Sequence, residues 1–141
     1  MKPQLFALLT AICWGVGGFF EQKGLVLGNL SPTMGITIRT TVALAILATA
    51  SYPQWKNLPQ AGPQALLYMV IGGGVVAGAV GMLSFYAALK GAPLNRVMPI
   101  AMTSPLFGAL AGIVLGGEGL TWKTALGMAL TVGGIVLLTL G

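Results

Sequence analysis

Long runs without a charged residue are the feature that most constrains this chain. Residues 3–20 contain none, and the uncharged run at 64–89 exceeds the roughly 20 residues that an α-helix needs to cross a bilayer. Soluble domains have about 25% charged residues, whereas 6% of these 141 residues are charged and 56% are hydrophobic. The sequence therefore predicts an all-α integral membrane protein with little left over to form a soluble domain.

Turn residues and charges divide the chain into five predicted transmembrane spans within a single domain, residues 1–141. The spans are predicted over residues 4–27, 32–52, 64–89, 94–116 and 121–140. Ser31 and Pro32 have the pattern of an N-cap followed by a proline at the first helical position. The stretch from Pro53 to Pro63 is predicted to be the one extended loop. A cleaved signal peptide is the alternative for the first run, but four more hydrophobic segments follow it.

The inventory of reactive side chains excludes several kinds of function. There is no His and no Asp, Glu occurs only at positions 21 and 118, and the single cysteine is Cys13. A metal site or a catalytic triad needs more ligands and acid–base groups than these, so we predict no enzyme activity, no metal and no cofactor. The cations are scattered singly, which argues against nucleic-acid binding.

Several charged side chains lie inside or beside the predicted spans. Arg39 is about two helical turns inside the second span, so an ion pair with Glu21 is the simplest way to neutralise it. Lys23 and Lys90 are expected to extend to the membrane interface, and Glu118 to be a turn residue before the fifth span. If these groups contact a solute instead, the excess of cations favours neutral, zwitterionic or anionic metabolites.

The distribution of lysine and arginine does not favour one orientation in the membrane. Side A, which holds the N-terminus, has three cations: Lys2, Lys56 and Lys123. Side B, at the opposite ends of the spans, has four: Lys23, Arg39, Lys90 and Arg96. An excess on one side sets the orientation of most membrane proteins, so this balance predicts a chain that inserts both ways.

Two prolines lie inside the fourth predicted span. Pro99 and Pro105 each lack an N–H and disturb the helical bond to the residue four earlier, so we predict a bend that lines a cavity. Thr103 and Ser104 can hydrogen-bond the released carbonyls or a solute. A purely structural kink is the alternative, because prolines are common in membrane helices.

Trp14 is a further candidate binding residue. It lies about ten residues into the first span, near the bilayer midplane, where an indole offers a π face and one N–H donor. Packing between helices is the alternative. Small residues four apart also predict close helix packing, within the chain or against a partner chain; they include Gly108 and Gly112 on the fourth span and Ala125, Ala129 and Gly133 on the fifth.

An ordered set of motifs along the chain resembles a known family. The set consists of Trp14-Gly15, Lys23, Ser31-Pro32, Arg39, Tyr86-Ala87-Ala88-Leu89, Pro99, Pro105-Leu106-Phe107, Leu115-Gly116-Gly117-Glu118-Gly119-Leu120-Thr121 and Gly127. Together these residues resemble the EamA-type domain of the drug/metabolite transporter superfamily, over essentially the whole chain. Members usually carry two such domains, the second inverted, so the resemblance implies half of a ten-helix inverted-repeat transporter.

The resemblance implies a transporter of small metabolites or drugs that works by alternating access in the cell membrane, with a prokaryotic inner membrane expected. Two chains in opposite orientations would rebuild the inverted pair, which implies an antiparallel dual-topology homodimer within the lipid bilayer. A parallel dimer, or a separate partner of opposite orientation, stays open.

The alternative function is a non-transporting membrane scaffold or accessory subunit of a larger membrane complex. The two functions differ in where polar side chains should lie. In a transporter we expect the substrate-binding residues to face one solvated interior, whereas in a scaffold they should be buried singly; they are Trp14, Arg39, Tyr86, Thr103 and Ser104.

Overall fold

The computed structural model describes residues 3–117 and 119–140, and within them it contains helices and no strand. Five helical stretches are long and apolar enough to cross a membrane, and we number them spans 1 to 5: Pro3–Leu27, Pro32–Ala61, Pro63–Gly91, Leu94–Gly116 and Trp122–Thr139. The predicted all-α class with five spans is therefore confirmed. The predictions for Lys2 and Glu118 fall outside the described residues.

The chain divides into two compact units. The first unit ends at Gly91 and contains spans 1 to 3, and the second begins at Ala92 and contains spans 4 and 5. Each unit has its own helix contacts.

Span 1 ends in a Schellman turn. The Leu30 N–H donates to the Leu25 carbonyl (3.0 Å) and the Asn29 N–H donates to the Val26 carbonyl (3.2 Å). Asn29 takes up the left-handed conformation that this turn requires, with φ of 44°. Asparagine is among the few residues other than glycine that adopt it readily.

Span 2 begins directly after this turn. The Ser31 hydroxyl accepts a hydrogen bond from the Met34 N–H at 3.2 Å, and Pro32 is the first helical residue. The pairing of an N-cap serine with a first-turn proline is the arrangement that the sequence predicted. The connection between spans 1 and 2 is therefore short and capped by hydrogen bonds at both helix ends.

The predicted loop from Pro53 to Pro63 is wrong over most of its length. Residues Tyr52–Ala61 form a 3-10 helix that continues span 2, and the Trp55 Nε1–H donates to the Ser51 hydroxyl (2.9 Å) across the junction. Proline fixes φ near −65°, a value that a 3-10 helix shares, so a proline-rich stretch can remain helical. The chain turns at Gly62, whose φ of 77° favours glycine.

Span 3 changes its helical type twice. It begins as the α-helix Pro63–Tyr68, continues as the π-helix Met69–Gly81 and ends as the α-helix Met82–Gly91. The sequence predicted one uniform helix here. The π-helical sequence MVIGGGVVAGAVG is rich in glycine, and glycine favours the α-helix less than alanine does by about 1 kcal/mol. That low preference reduces the cost of the rarer i→i+5 bonding pattern.

The core of the first unit lies near side B. Leu25, Tyr86 and Leu89 are each at most 2% exposed, and span 3 contacts spans 1 and 2 through its last segment, Met82–Gly91. Gly35 of span 2 makes this approach possible. A Cβ atom at Gly35 would lie 2.5 Å from Leu25 Cδ2 and 2.9 Å from Tyr86 Cδ1.

Lys90, at the end of span 3, forms hydrogen bonds with the turn between spans 1 and 2. Its Nζ donates to the Leu30 carbonyl (2.7 Å) and to Asn29 Oδ1 (3.4 Å). The expectation that Lys90 extends to the membrane interface stays a prediction, and this contact is a partner that the sequence did not predict. A backbone carbonyl outside a regular helix needs a donor, and the ammonium group supplies it. Beside this contact, Gln22 Nε2 donates to the Leu89 carbonyl (3.3 Å).

In the second unit, span 4 is interrupted between its two prolines. It consists of the helices Leu94–Ala101 and Ser104–Gly116, with Met102 and Thr103 between them. Pro105 follows the interruption and has no N–H to offer the carbonyl four residues earlier. The helical bonding therefore stops and restarts at this point in the span.

Span 5 forms the rest of the second unit. The helix Trp122–Leu140 begins after Thr121, whose hydroxyl accepts from the Thr124 N–H at 3.1 Å, and it contacts the first helix of span 4. Val97 on that helix is buried, at 7% exposure. The turn before span 5 includes Gly117 with φ of 67°.

Candidate functional site

An ion pair joins spans 1 and 2 inside the membrane region. Arg39 Nε lies 2.8 Å from Glu21 Oε1. At 1.5 Å per residue, both residues lie about 10 Å from the side B ends of their helices at Leu27 and Pro32. An unpaired charge at such a depth is costly, so the pair neutralises two groups that would each disfavour insertion alone.

Tyr86 of span 3 completes a polar cluster with Glu21 and Arg39. Its side chain is buried at 2% exposure and lies beside Glu21 and Arg39 in the lining of one pocket. An ionised carboxylate only accepts hydrogen bonds, so toward Glu21 the phenol can act only as a donor. The structure therefore brings together three polar side chains from three different helices.

The polar cluster lines a pocket of about 280 Å³, which we call the Arg39 pocket. The rest of its wall is apolar or small, and its members are Phe20, Gly24, Leu25, Leu30, Gly35 and Ile38. Apolar walls with a few convergent polar groups are typical of small-molecule sites. The sequence did not single out these wall residues, although Gly24 and Gly35 each lie one helical turn from a charged member of the cluster.

A second pocket, also of about 280 Å³, lies in the second unit beside the interruption of span 4. Its lining consists of Met102, Thr103, Pro105, Leu106, Thr124, Gly127, Met128, Thr131 and Val132. Two of its hydroxyls donate to carbonyls of their own helices, Thr103 to Ile100 and Thr131 to Gly127, each at 2.8 Å. These hydroxyls offer lone pairs, not hydrogens, to the pocket.

The predicted binding residues lie in different places. Arg39 and Tyr86 share the Arg39 pocket, and Thr103 lines the second pocket. Trp14 is 55% exposed on span 1 and lines neither of these two pockets, and Ser104 is also exposed and outside both. The structure therefore brings Arg39 and Tyr86 together at one pocket and places Trp14 outside it.

The remaining site predictions concern the prolines and metal binding. Pro105 lines the second pocket, whereas Pro99 lies within the first helix of span 4, partly buried, and lines neither pocket. No group of three or more metal-ligating side chains occurs within residues 3–117 and 119–140.

Comparison with known proteins gives the family. The model of the EamA-like transporter family matches residues 1–140. The chain belongs to the EamA-like transporter family. Family membership and five apolar spans make it a multi-pass transporter of the cell membrane.

Two relatives of this EamA-like chain differ in length. "Uncharacterized transporter in cobO 3'region" from Sinorhizobium sp is 28% identical over 137 residues, which cover 96% of this chain and 94% of the relative. "Uncharacterized transporter" from Archaeoglobus fulgidus is 28% identical over 122 residues, which cover 86% of this chain and 42% of the relative. No solved structure matches the chain.

Proposed function

We propose that the chain moves small molecules across the membrane by alternating access and works as an antiparallel pair of identical chains. The observation that carries this proposal is the Arg39 pocket, where opposite charges and a phenol meet among apolar helices. Ionisable side chains are expensive inside a membrane and mark substrate or ion pathways. Membership of a transporter family supplies the general activity.

The position of the Arg39 pocket favours an inverted pair. Its charged members lie about 10 Å from the side B ends of their helices, so one chain offers its pocket mainly to one face of the membrane. An inverted copy offers the same pocket to the other face. Two related halves of opposite orientation are the arrangement on which alternating access depends in inverted-repeat transporters.

The charge distribution is compatible with both orientations. Because Glu21 neutralises Arg39, the cations that set topology number three on side A and three on side B; the latter are Lys23, Lys90 and Arg96. An equal count leaves orientation unbiased. The relatives fit this proposal. The match covers 94% of the Sinorhizobium relative, which is therefore about the length of one unit of five spans. It covers 42% of the Archaeoglobus relative, which is long enough for a second unit of the same size.

Span 5 offers a surface on which two chains can meet. A Cβ atom added at Gly133 would meet nothing within 4 Å, and the same holds for Gly134. Small residues let helix backbones approach closely in a bilayer, where packing and not hydrophobicity drives association. We propose this face of span 5 as the contact between the two chains.

Cysteine labelling from each side of intact cells tests the orientation. Cys13 is first replaced by alanine, and single cysteines are placed at Ala61 for side A and at Gly91 for side B. Ala61 is chosen over Gly62, because the left-handed backbone at Gly62 disfavours a side chain. Each site should be labelled by an impermeant reagent from both sides. Labelling from one side only would overturn the antiparallel pair.

Orientation-locked copies then test whether the pair is the working unit. The substitutions Gln54→Lys, Asn57→Lys and Gln60→Lys add cations to the exposed side A segment, and Gly91→Lys with Asn95→Lys adds them to side B. Uptake of a metabolite mixture by membrane vesicles prepared from the expressing cells is read by mass spectrometry. Each locked copy should lose most transport when it is expressed alone and regain it when both are co-expressed. Full transport by one locked copy contradicts the proposal.

A further inference from the structure

Arg39 keeps most of its hydrogen-bonding capacity after it pairs with Glu21. The contact runs through Nε, at one edge of the planar guanidinium group. A guanidinium carries five N–H donors in a fixed fork, and a carboxylate at the Nε edge leaves the outer edge open. Within the described part of the chain, Glu21 is the one ion-pair partner of Arg39. The Arg39 side chain is 39% exposed, so this outer edge is accessible.

Glu21 is more fully engaged than Arg39. Its carboxylate pairs with Arg39 Nε at 2.8 Å, the Tyr86 phenol lies close enough to interact with it, and its side chain is 22% exposed, against 39% for Arg39. Both neighbours are donors, so part of the accepting capacity of Glu21 is used inside the protein. The cluster therefore offers donors to a ligand more readily than it offers acceptors.

The surroundings of the Arg39 pocket favour a negative ligand with an apolar body. Phe20, Leu30 and Ile38 supply apolar wall. Lys23 and Lys90 are exposed near the same end of the first unit. With Arg39 they make three cations beside one anion, Glu21, so the local net charge is +2. A local excess of positive charge raises the local concentration of anions.

We infer that the Arg39 pocket binds an organic anion, a carboxylate or phosphate carried on an apolar body. The oxyanion accepts from the outer edge of the Arg39 guanidinium, which Glu21 and Tyr86 hold in place, and the apolar body lies against Phe20 and Ile38. Arginine suits such oxyanions because its planar fork matches their geometry. This inference rests on the proposed function and names the substrate class of the same site.

Binding is tested with probes that share one hexyl chain and differ in charge. Calorimetry on the purified protein in nanodiscs compares hexanoate, hexyl phosphate, hexylammonium, 2-aminohexanoate and hexanol. The two anions should bind most tightly. Arg39→Gln should weaken hexanoate binding by about tenfold or more, the value of a charge-assisted hydrogen bond. Arg39→Lys should also weaken it, since it keeps the charge and loses the fork.

Two further variants separate binding from folding. Glu21→Gln combined with Arg39→Gln leaves no unpaired charge in the membrane and should still fail to bind hexanoate. Lys123→Gln removes a cation from the second unit and should bind as the unaltered protein does. Tighter binding of 2-aminohexanoate or hexylammonium than of hexanoate overturns the inference, as does unchanged hexanoate binding by Arg39→Gln.

An anionic lipid headgroup could present the same oxyanion. Hexanoate affinity should be equal in nanodiscs of phosphatidylcholine and in nanodiscs that also contain phosphatidylglycerol. Loss of hexanoate binding in the second kind assigns the pocket to a lipid and overturns the substrate class.

Transport is measured separately, so that the two proposals can fail independently. Hexanesulfonate stays ionised and does not cross a bilayer unaided, and its uptake into proteoliposomes reports transport of an anion. Anion binding without uptake of any probe supports the inference and contradicts the proposed function. Uptake of a zwitterion or a cation without anion binding supports transport and overturns the inference.

Discussion

Gly35 is the described glycine of the first unit that has the least room for a side chain. A methyl group there would lie 2.5 Å from Leu25 and 2.9 Å from Tyr86, both of which are buried. Overpacking of a core costs about 1–3 kcal/mol. We therefore expect Gly35→Ala to lower the free energy of unfolding by that amount, measured by thermal or denaturant unfolding of the purified protein in detergent.

Gly17 of span 1 provides the matched control for this prediction. It is also helical, and a Cβ atom there would meet nothing within 4 Å. Gly17→Ala should be neutral or stabilising, because alanine favours a helix more than glycine by about 1 kcal/mol. Equal effects of the two substitutions would show that the packing at Gly35 does not limit stability.

Single residues differ in how far the sequence predicted them. The cap at Ser31 depends on its immediate neighbours, so local chemistry was enough. The Glu21 and Arg39 pair followed from the cost of isolated charges in a membrane. Tyr86 came from a family motif, and its contact with Glu21 joins distant parts of the chain. The partner of Lys90 was not predicted, because it is a turn carbonyl that no sequence pattern marks.

The π-helical segment of span 3 allows a sharp test at the level of one element. A Cβ atom at Gly78 would lie 2.9 Å from the Gly73 carbonyl oxygen, whereas one at Gly74 would lie 3.8 Å from the Met69 carbonyl oxygen. Gly78→Ala should therefore force the segment to rearrange at a cost of about 1–3 kcal/mol. Gly74→Ala should be tolerated. Thermal unfolding of the two variants checks the difference, and equal melting temperatures would argue against the i→i+5 bonding.

The contact of Lys90 with the turn between spans 1 and 2 gives a second prediction for elements. Lys90→Met keeps the length of the side chain and removes the donor to the Leu30 carbonyl. A hydrogen bond to a charged group contributes about 1.5–3 kcal/mol, so hydrogen exchange at Asn29 and Leu30 should accelerate in this variant. Lys23→Met is the control, because Lys23 is exposed on span 1. Unchanged exchange at Asn29 and Leu30 would contradict a stabilising role.

The sequence predicted where elements lie better than it predicted their helical type. Uncharged apolar runs locate membrane helices because lipid selects for length and hydropathy. Those quantities do not distinguish an α-helix from the π-helix Met69–Gly81, since both satisfy the backbone inside one segment. The 3-10 helix Tyr52–Ala61 was read as a loop because its prolines and polar residues are also typical of turns.

At the scale of the whole chain, hydropathy and an ordered set of weak motifs predicted the class and the family, and the match over residues 1–140 confirms both. The candidate site was predicted less completely. The pattern of residues along a helix does not say which faces of distant helices meet. The sequence therefore predicted Trp14 to share a site with Arg39 and Tyr86. In the structure Arg39 and Tyr86 line one pocket beside Gly35, and Trp14 is exposed outside it.

The ion pair between spans 1 and 2 has a consequence for biosynthesis. Arginine at the centre of a helix raises the insertion free energy by about 2.5–3.5 kcal/mol, and by less toward the ends, so span 2 should insert poorly by itself. Only residues 28–31 separate the two helices.

In a translocon assay, Glu21→Gln should reduce insertion of span 2. Thr10→Val, which removes a hydroxyl bonded within its own helix, should leave insertion unchanged. Equal insertion in both variants would contradict this expectation. We therefore expect spans 1 and 2 to leave the translocon together, as one hairpin in which Glu21 and Arg39 neutralise each other.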